Sequence, residues 1–141
     1  MSKASILVVD DDKAMAESIS DVLDARGYRV AVANDGFAAV ALAKETSFDL
    51  VLTDIKMPGM NGVEAYKEIK KIRPGMRAIM MTAYSVEDLI KEAMQEGAYE
   101  VMHKPIVLDR LLLLIEAITG KASIIVDPRD LSAPRSLVRK E

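Results

Sequence analysis

Five short apolar runs alternate along the chain with longer stretches that have the residue spacing of amphipathic helices. The runs cover residues 6–9, 30–33, 50–53, 78–81 and 99–102. Continuous apolar runs of this length are typical of strands buried on both faces, and regular alternation with helices is typical of right-handed βαβ units. The pattern therefore predicts an α/β protein with a doubly wound (βα)5 fold and a five-stranded parallel sheet.

Residues that commonly cap or precede helices mark the ends of the helical stretches. Asp12 directly precedes the first stretch and is expected to accept a hydrogen bond from a free backbone N–H. Residues 58–62, with Pro-Gly and Asn-Gly pairs, predict turns that lead into the third helix. Ser85 and Asp88 have the spacing of a capping box, which predicts the start of the fourth helix. The fifth helix is predicted over about residues 107–119.

The composition indicates one domain without a disulfide framework. The chain has 141 residues, no Cys, and 19 Lys and Arg against 22 Asp and Glu, for a net charge of −3. This charge provides no general field for nucleic acid or an anionic membrane, and no apolar run approaches the roughly 18 residues of a membrane span. We expect a cytoplasmic domain over residues 1–120 that binds neither nucleic acid nor membrane directly. Residues 121–141 are predicted to form a tail, or a linker to an output domain.

Charged or hydroxyl side chains follow four of the five runs, at the edge where the carboxyl ends of parallel strands meet. Asp10 and Asp11 follow the first run, Asp54 the third, Thr82 the fourth and Lys104 the fifth. Ligands of open α/β sheets bind at this edge. Several carboxylates at one place repel one another and require a cation. Oxygen donors without His or Cys favour a hard divalent ion, Mg²⁺ or alternatively Mn²⁺.

These residue types together indicate phosphoryl transfer. A carboxylate can accept a phosphoryl group as an acyl phosphate, while a divalent cation, a lysine and a hydroxyl bind the phosphoryl oxygens. The glycines form neither a GxG nor a GxxxxGK motif, and the acidic residues after the first run would repel a flavin phosphate. A flavodoxin-like cofactor role is therefore disfavoured.

Four segments in this order resemble the receiver domain of two-component response regulators. They are ILVVDDD at the first run, TDIKMPGMNG around Asp54, MTA at Thr82 and KP at residues 104–105. The resemblance covers about residues 4–120 and implies a CheY-like, flavodoxin-type fold with strand order 2-1-3-4-5. It also implies a signalling switch that a sensor histidine kinase phosphorylates, rather than a turnover enzyme.

The resemblance implies a role for each matched residue in the acidic segments. Asp54 is the phosphoacceptor and a metal ligand. Asp11 resembles the direct Mg²⁺ ligand, and Asp10 resembles the acid that reaches the metal through water. Lys56 matches the position whose backbone carbonyl completes the coordination.

The remaining matched residues surround the phosphoryl group in the family. Thr82 is similar to the hydroxyl that moves toward the phosphoryl group, and Lys104 to the lysine that pairs with one of its oxygens. The resemblance implies a cis peptide bond before Pro105. Tyr84 and Lys56 occupy the two variable positions that flank the site, and Tyr84 is expected to act as a lid that limits access of water.

The fifth run departs from the family pattern. Many receivers have Tyr or Phe three residues before the lysine, where this chain has Val101. Tyr99 lies two residues earlier and is expected on the same face of the switch strand, where it could substitute for the missing aromatic residue. His103 has no partner ligand nearby and is expected to be an exposed strand residue.

Two functions from other classes compete with the switch. The first is a Mg²⁺-dependent phosphatase with an acyl-phosphate intermediate on Asp54, but such enzymes usually need a second acid two residues later, where this chain has Lys56. The second is a degenerate receiver that serves only for docking. The complete set of acidic, hydroxyl and lysine residues at the strand ends argues against that alternative.

Helix five contains an unbroken apolar segment, residues 111–115. Successive residues of a helix point about 100° apart, so five in a row surround the axis and cannot all face the sheet. Either helix four and the tail cover the remainder, or a second copy does. Receivers of this family commonly dimerise through helix four, strand five and helix five, and we expect Leu114 in such a contact.

Overall fold

The computed structural model describes residues 4–120, which form one parallel sheet with helices on both faces. The strands are Ser5–Val9 (β1), Arg29–Ala33 (β2), Leu50–Asp54 (β3), Arg77–Thr82 (β4) and Glu100–His103 (β5). The helices are Lys13–Ala25 (α1), Gly36–Glu45 (α2), Gly62–Ile72 (α3), Glu87–Gln95 (α4) and Leu108–Thr119 (α5). The strand order β2-β1-β3-β4-β5 confirms the predicted topology. The predicted tail, residues 121–141, lies outside the described residues.

Two apolar clusters lie against opposite faces of the sheet, because successive strand side chains point to opposite sides. In β1, Leu7 and Val9 belong to the cluster that packs against α2, α3 and α4. Ile6 and Val8 belong to the cluster that packs against α1 and α5. All four side chains are fully buried, as expected for a central strand covered on both faces.

The register brings the carboxyl ends of the central strands to one edge. Val9 is paired with Thr53 in β3, and Asp54 is paired with Met81 in β4. Past the end of β5, the backbone N–H of Lys104 donates to the carbonyl of Thr82 at 2.8 Å. The residues at the ends of β3 and β4 and those directly after β1 and β5 are therefore held beside one another.

The helix starts confirm one capping prediction and correct another. The Asp12 side chain accepts a hydrogen bond from the Met15 N–H and caps α1, as predicted. The capping box at Ser85 is wrong, because Val86 is the residue before α4 and no side chain caps this helix. Acidic residues in the first turn of α4, including Asp88, interact favourably with the positive end of the helix dipole instead.

Two predictions about side-chain direction in the last strand and helix are also wrong. Tyr99 lies just before β5 and packs against the α1 and α5 cluster, whereas Val101 packs against the opposite cluster. The two-residue alternation applies only within a strand, so Tyr99 does not share a face with Val101. Leu114 is 5% exposed and belongs to the core, so it cannot contact a second copy. His103 is exposed, as predicted.

Candidate functional site

Three carboxylates converge at the edge of the sheet where β1 and β3 end. Asp10 is completely buried, Asp54 is 6% exposed, and Asp11 is exposed to solvent. One carboxylate oxygen from each residue lies within 4.8 Å of the other two. Like charges at this distance repel one another, so the cluster requires nearby positive charge.

Lys104 supplies that charge in this structure. Its Nζ atom lies 2.8 Å from Oδ2 of Asp10 and 3.4 Å from Oδ2 of Asp54. The next peptide bond, between Lys104 and Pro105, is cis, which confirms the prediction. The chain leaves β5 at this point, so the lysine side chain reaches back across the strand ends to both acids.

The electrostatic balance of the site is set mainly by burial. Burial raises the pKa of the Asp54 carboxyl from 3.8 to about 6, against the lowering effect of Lys104, and the Asp10 charge adds to the increase. Burial alone would lower the pKa of Lys104, but its hydrogen bond to Asp10 and the charges of both acids raise that pKa above its usual value. The lysine therefore stays charged beside an acid that ionises with difficulty.

The raised pKa of Asp54 predicts a pH-dependent cost to stability in the metal-free protein. Between about pH 4 and pH 6 the folded state binds more protons than the unfolded chain, so the contribution of this group to stability is lost as the pH rises through that window. Asp54→Asn removes the ionisation. We expect its free energy of unfolding, measured by urea denaturation in EDTA, to exceed that of the unmodified protein by about 1–3 kcal/mol at pH 8.

The difference in unfolding free energy should shrink as the pH falls and vanish below about pH 3, where Asp54 is protonated in both the folded and the unfolded state. Asp12→Asn is a matched control, because Asp12 is exposed and Asn caps helices equally well. A stability gain for Asp54→Asn that stays constant between pH 4 and pH 8 would contradict the assigned electrostatics.

Thr82 and Tyr84 form the side of the site contributed by β4. Thr82 is buried, and its Oγ1 donates to the Tyr84 carbonyl at 2.9 Å and accepts from the Tyr84 N–H at 3.0 Å. The hydroxyl is therefore bonded to its own loop rather than to Asp54. The Tyr84 ring is 58% exposed, and Nζ of Lys56 lies 5.9 Å from its centroid. Both side chains are exposed, in contrast to the buried Asp10 and Asp54.

Two residues that hold the acidic cluster in place were not identified from the sequence. Asn34 donates from Nδ2 to the backbone carbonyl of Asp10 at 3.0 Å. The available signal was a polar residue directly after the second apolar run, at the same edge of the sheet. Gly62 begins α3 so close to Asp54 that a Cβ there would lie 2.1 Å from the Asp54 carbonyl oxygen. The Asn-Gly pair predicts a turn at this position. The structure shows instead that glycine is needed there because the backbones of α3 and β3 are in close contact.

Comparison with known proteins identifies the family. The model of the response regulator receiver domain matches residues 6–116. The chain belongs to the response regulator receiver family. It is 35% identical to a CheY-like receiver domain of Methanospirillum hungatei JF-1, whose crystal structure superposes with a TM-score of 0.79 and coverage of 82% of this chain and 93% of that one.

Two curated relatives differ in how much of their own length this chain spans. The transcriptional regulatory protein ZraR of Klebsiella oxytoca is 44% identical over 113 residues, which is 80% of this chain but only 26% of ZraR. The sporulation initiation phosphotransferase F of Bacillus subtilis is 36% identical over 111 residues, 79% of this chain and 90% of that protein. The chain thus spans about a quarter of the first relative and nearly all of the second.

Among residues 4–120, no helix is long and apolar enough to cross a membrane.

The donor set of this receiver fits Mg²⁺. All three donors are carboxylate oxygens, the class of ligand that this hard cation requires. Both side-chain oxygens of Asp10 already accept hydrogen bonds, from the Asp12 N–H and from Lys104. The Asp11 side chain accepts none from the residues that the structure describes, so it is the carboxylate most available for direct coordination.

Proposed function

We propose that this receiver is a Mg²⁺-dependent switch in which Asp54 accepts a phosphoryl group from a sensor histidine kinase. The observation that carries the proposal is the convergence of three carboxylates and Lys104 at one edge of the sheet. Asp11, Asp54, the Lys56 carbonyl and, through water, Asp10 would hold the cation. When bound, Mg²⁺ offsets the negative charge of the carboxylates and of the phosphoryl oxygens.

The transfer forms one bond and breaks one. A carboxylate oxygen of Asp54 attacks the phosphorus, and the bond from phosphorus to the kinase histidine nitrogen breaks, with its electron pair going to the nitrogen. That nitrogen takes up one proton from water, so the products are an acyl phosphate on Asp54 and a neutral histidine. Lys104 would pair with a phosphoryl oxygen as negative charge develops, a role that its 3.4 Å distance from Asp54 supports.

Thr82 would then report the phosphorylation to the rest of the domain. Its hydroxyl exchanges the two backbone partners at Tyr84 for a phosphoryl oxygen, which releases the loop before α4. Val101 has no hydroxyl and no aromatic ring, so the repacking at β5 relies on apolar contacts. The exposed Tyr84 ring beside Lys56 would act as the lid over the acyl phosphate.

The geometry of the site does not support the phosphatase alternative. The position two residues after Asp54 holds Lys56, whose exposed side chain is an amine and not the second carboxylic acid that such phosphatases use. The decisive experiment for the switch is incubation with acetyl phosphate. The expected result is the gain of one phosphoryl group by intact mass with Mg²⁺ or Mn²⁺, and none in EDTA. Rapid release of phosphate from many equivalents of the donor would favour the phosphatase.

We also propose that phosphorylation promotes a dimer through α4, β5 and α5. Large apolar side chains are exposed on α4 and at the start of α5: Met94 at 42%, Val107 at 63% and Leu108 at 40%. These exposed side chains, and not the buried Leu114, would form a mainly apolar contact between the two copies.

The dimer proposal predicts that beryllofluoride with Mg²⁺ raises the molar mass measured by light scattering from monomer toward dimer. Leu108→Asp should suppress this change because it places a charge in the apolar contact, without blocking phosphorylation. Phe37→Asp is the matched control, since Phe37 is 61% exposed on α2, outside the proposed face. A protein that stays monomeric at about 100 μM, far above a micromolar dissociation constant, would contradict the dimer.

A further inference from the structure

Every polar group of Asp10 has a hydrogen-bond partner in this structure. Its backbone N–H donates to the Ala33 carbonyl at 3.1 Å. Its side-chain oxygens accept from the Asp12 N–H at 3.0 Å and from Lys104 Nζ at 2.8 Å. Its backbone carbonyl accepts from the amide nitrogen of Asn34, also at 3.0 Å. Among residues 4–120, Asn34 is thus the one neutral side chain that is hydrogen-bonded to Asp10.

The bond from Asn34 also constrains the residue after Asp10. The carbonyl of Asp10 and the N–H of Asp11 belong to one planar peptide group, so fixing the carbonyl fixes the direction in which the chain enters Asp11. The Asp11 side chain accepts no hydrogen bond from residues 4–120. Its orientation relative to Asp54 therefore depends on the backbone, and the Asn34 amide controls that backbone.

The loop that carries Asn34 is itself anchored. Asp35 caps α2 by accepting a hydrogen bond from the Ala38 N–H at 2.7 Å. Gly36 packs so tightly against Met60 that a Cβ there would lie 2.8 Å from the Met60 Cβ. These contacts leave little freedom for the backbone at Asn34, so its amide acts as a fixed donor and not as a mobile surface group.

We propose that Asn34 is a positioning residue for the divalent cation: by holding the Asp10 carbonyl it orients Asp11 for direct coordination. The inference rests on the proposed function of the acidic cluster and adds a residue from the β2–α2 loop to it. Asn34 does not act on the phosphoryl group, because its observed bond is to the backbone of Asp10. Its effect is on how strongly the cation is held.

The test is the affinity of the intact protein for Mg²⁺, measured by calorimetric titration without any phosphodonor. Asn34→Ala is expected to raise the dissociation constant about fivefold, the equivalent of about 1 kcal/mol for one neutral hydrogen bond. Asp11→Ala, which removes the ligand itself, should abolish measurable binding. Thermal unfolding of each variant, monitored by circular dichroism, gives the stability change alongside the affinity.

Asp49→Ala is the matched control, since it also removes one side-chain hydrogen bond to the backbone, the 2.8 Å bond that the Ser5 N–H donates to Asp49 Oδ2, and lies in the loop before β3, at the opposite edge of the sheet from Asn34 and Asp10. We expect it to lower stability at least as much as Asn34→Ala while keeping the Mg²⁺ affinity within about twofold. Equal affinity for Asn34→Ala and the unmodified protein, or equal losses in both loop variants, would overturn the role of Asn34 and leave the proposed switch intact. Absence of Mg²⁺ binding by the unmodified protein would instead overturn the proposed function.

Discussion

Asp54→Asn is expected to abolish phosphoryl uptake. The amide that replaces the carboxylate carries no negative charge and is a poor nucleophile toward phosphorus, while its size and position at the end of β3 are unchanged. After incubation with acetyl phosphate and Mg²⁺, intact mass should show one added phosphoryl group on the unmodified protein and none on the variant. We expect the loss to be complete within the detection limit, because no other carboxylate has the position of Asp54.

Asp12→Asn separates the role of Asp54 from a general loss of acidic charge. Asp12 is exposed, caps α1 and lies two residues from Asp10, so this isosteric change also removes one negative charge near the site. Uptake by the control should match that of the unmodified protein. Labelling of the Asp54→Asn variant to the same extent would move the phosphoacceptor to Asp10 or Asp11.

Gly62→Ala is expected to cause the largest loss of stability among the substitutions considered. The new Cβ would lie 2.1 Å from the Asp54 carbonyl oxygen and 3.0 Å from the Ile55 Cα, and both of these are backbone atoms that no rotamer change can move. The start of α3 must separate from the end of β3. We expect a cost of about 3 kcal/mol or more, and a melting temperature lowered by roughly 10 °C.

The same displacement would move the phosphoacceptor away from Lys104, so phosphoryl uptake by the folded fraction should also slow. Gly75→Ala is the matched control, because a Cβ at Gly75 meets no atom within 4 Å and its backbone is outside the left-handed region. We expect its stability to change by less than about 0.5 kcal/mol. Similar melting temperatures for the two alanine variants would show that the contact between α3 and Asp54 is not tight.

The position of the site was predictable because it depends on where strands end. Each central strand is buried on both faces, so its apolar run is continuous and its first polar residue marks the carboxyl end. Asp10, Asp54 and Lys104 were assigned to the site on this basis, and the structure brings them within contact distance. The strand order is implied by the resemblance to receivers, because an apolar run does not show which other strand lies next to it in the sheet.

Predictions that depended on local direction failed where tertiary packing decided the outcome. Tyr99 has a strand-like sequence context, yet it lies one residue before β5 and packs against the other cluster. Leu114 lies in an apolar segment that surrounds α5, and the segment alone does not reveal which residues face the sheet. Ser85 has the spacing of a capping box, but α4 begins one residue later than that box requires.

The sequence by itself determined the (βα)5 layout and the chemical groups at the strand ends. The apolar or polar character of each residue indicates whether it is buried and where a strand ends. Only the tertiary structure decided how those groups interact across the sheet. Burial beside Asp10 raises the pKa of Asp54 to about 6, and the bond from Asn34 fixes the Asp10 carbonyl from a distant loop. The absence of a side chain at Gly62 allows α3 to approach Asp54. Each of these depends on distances between segments far apart in the chain, which local patterns do not contain.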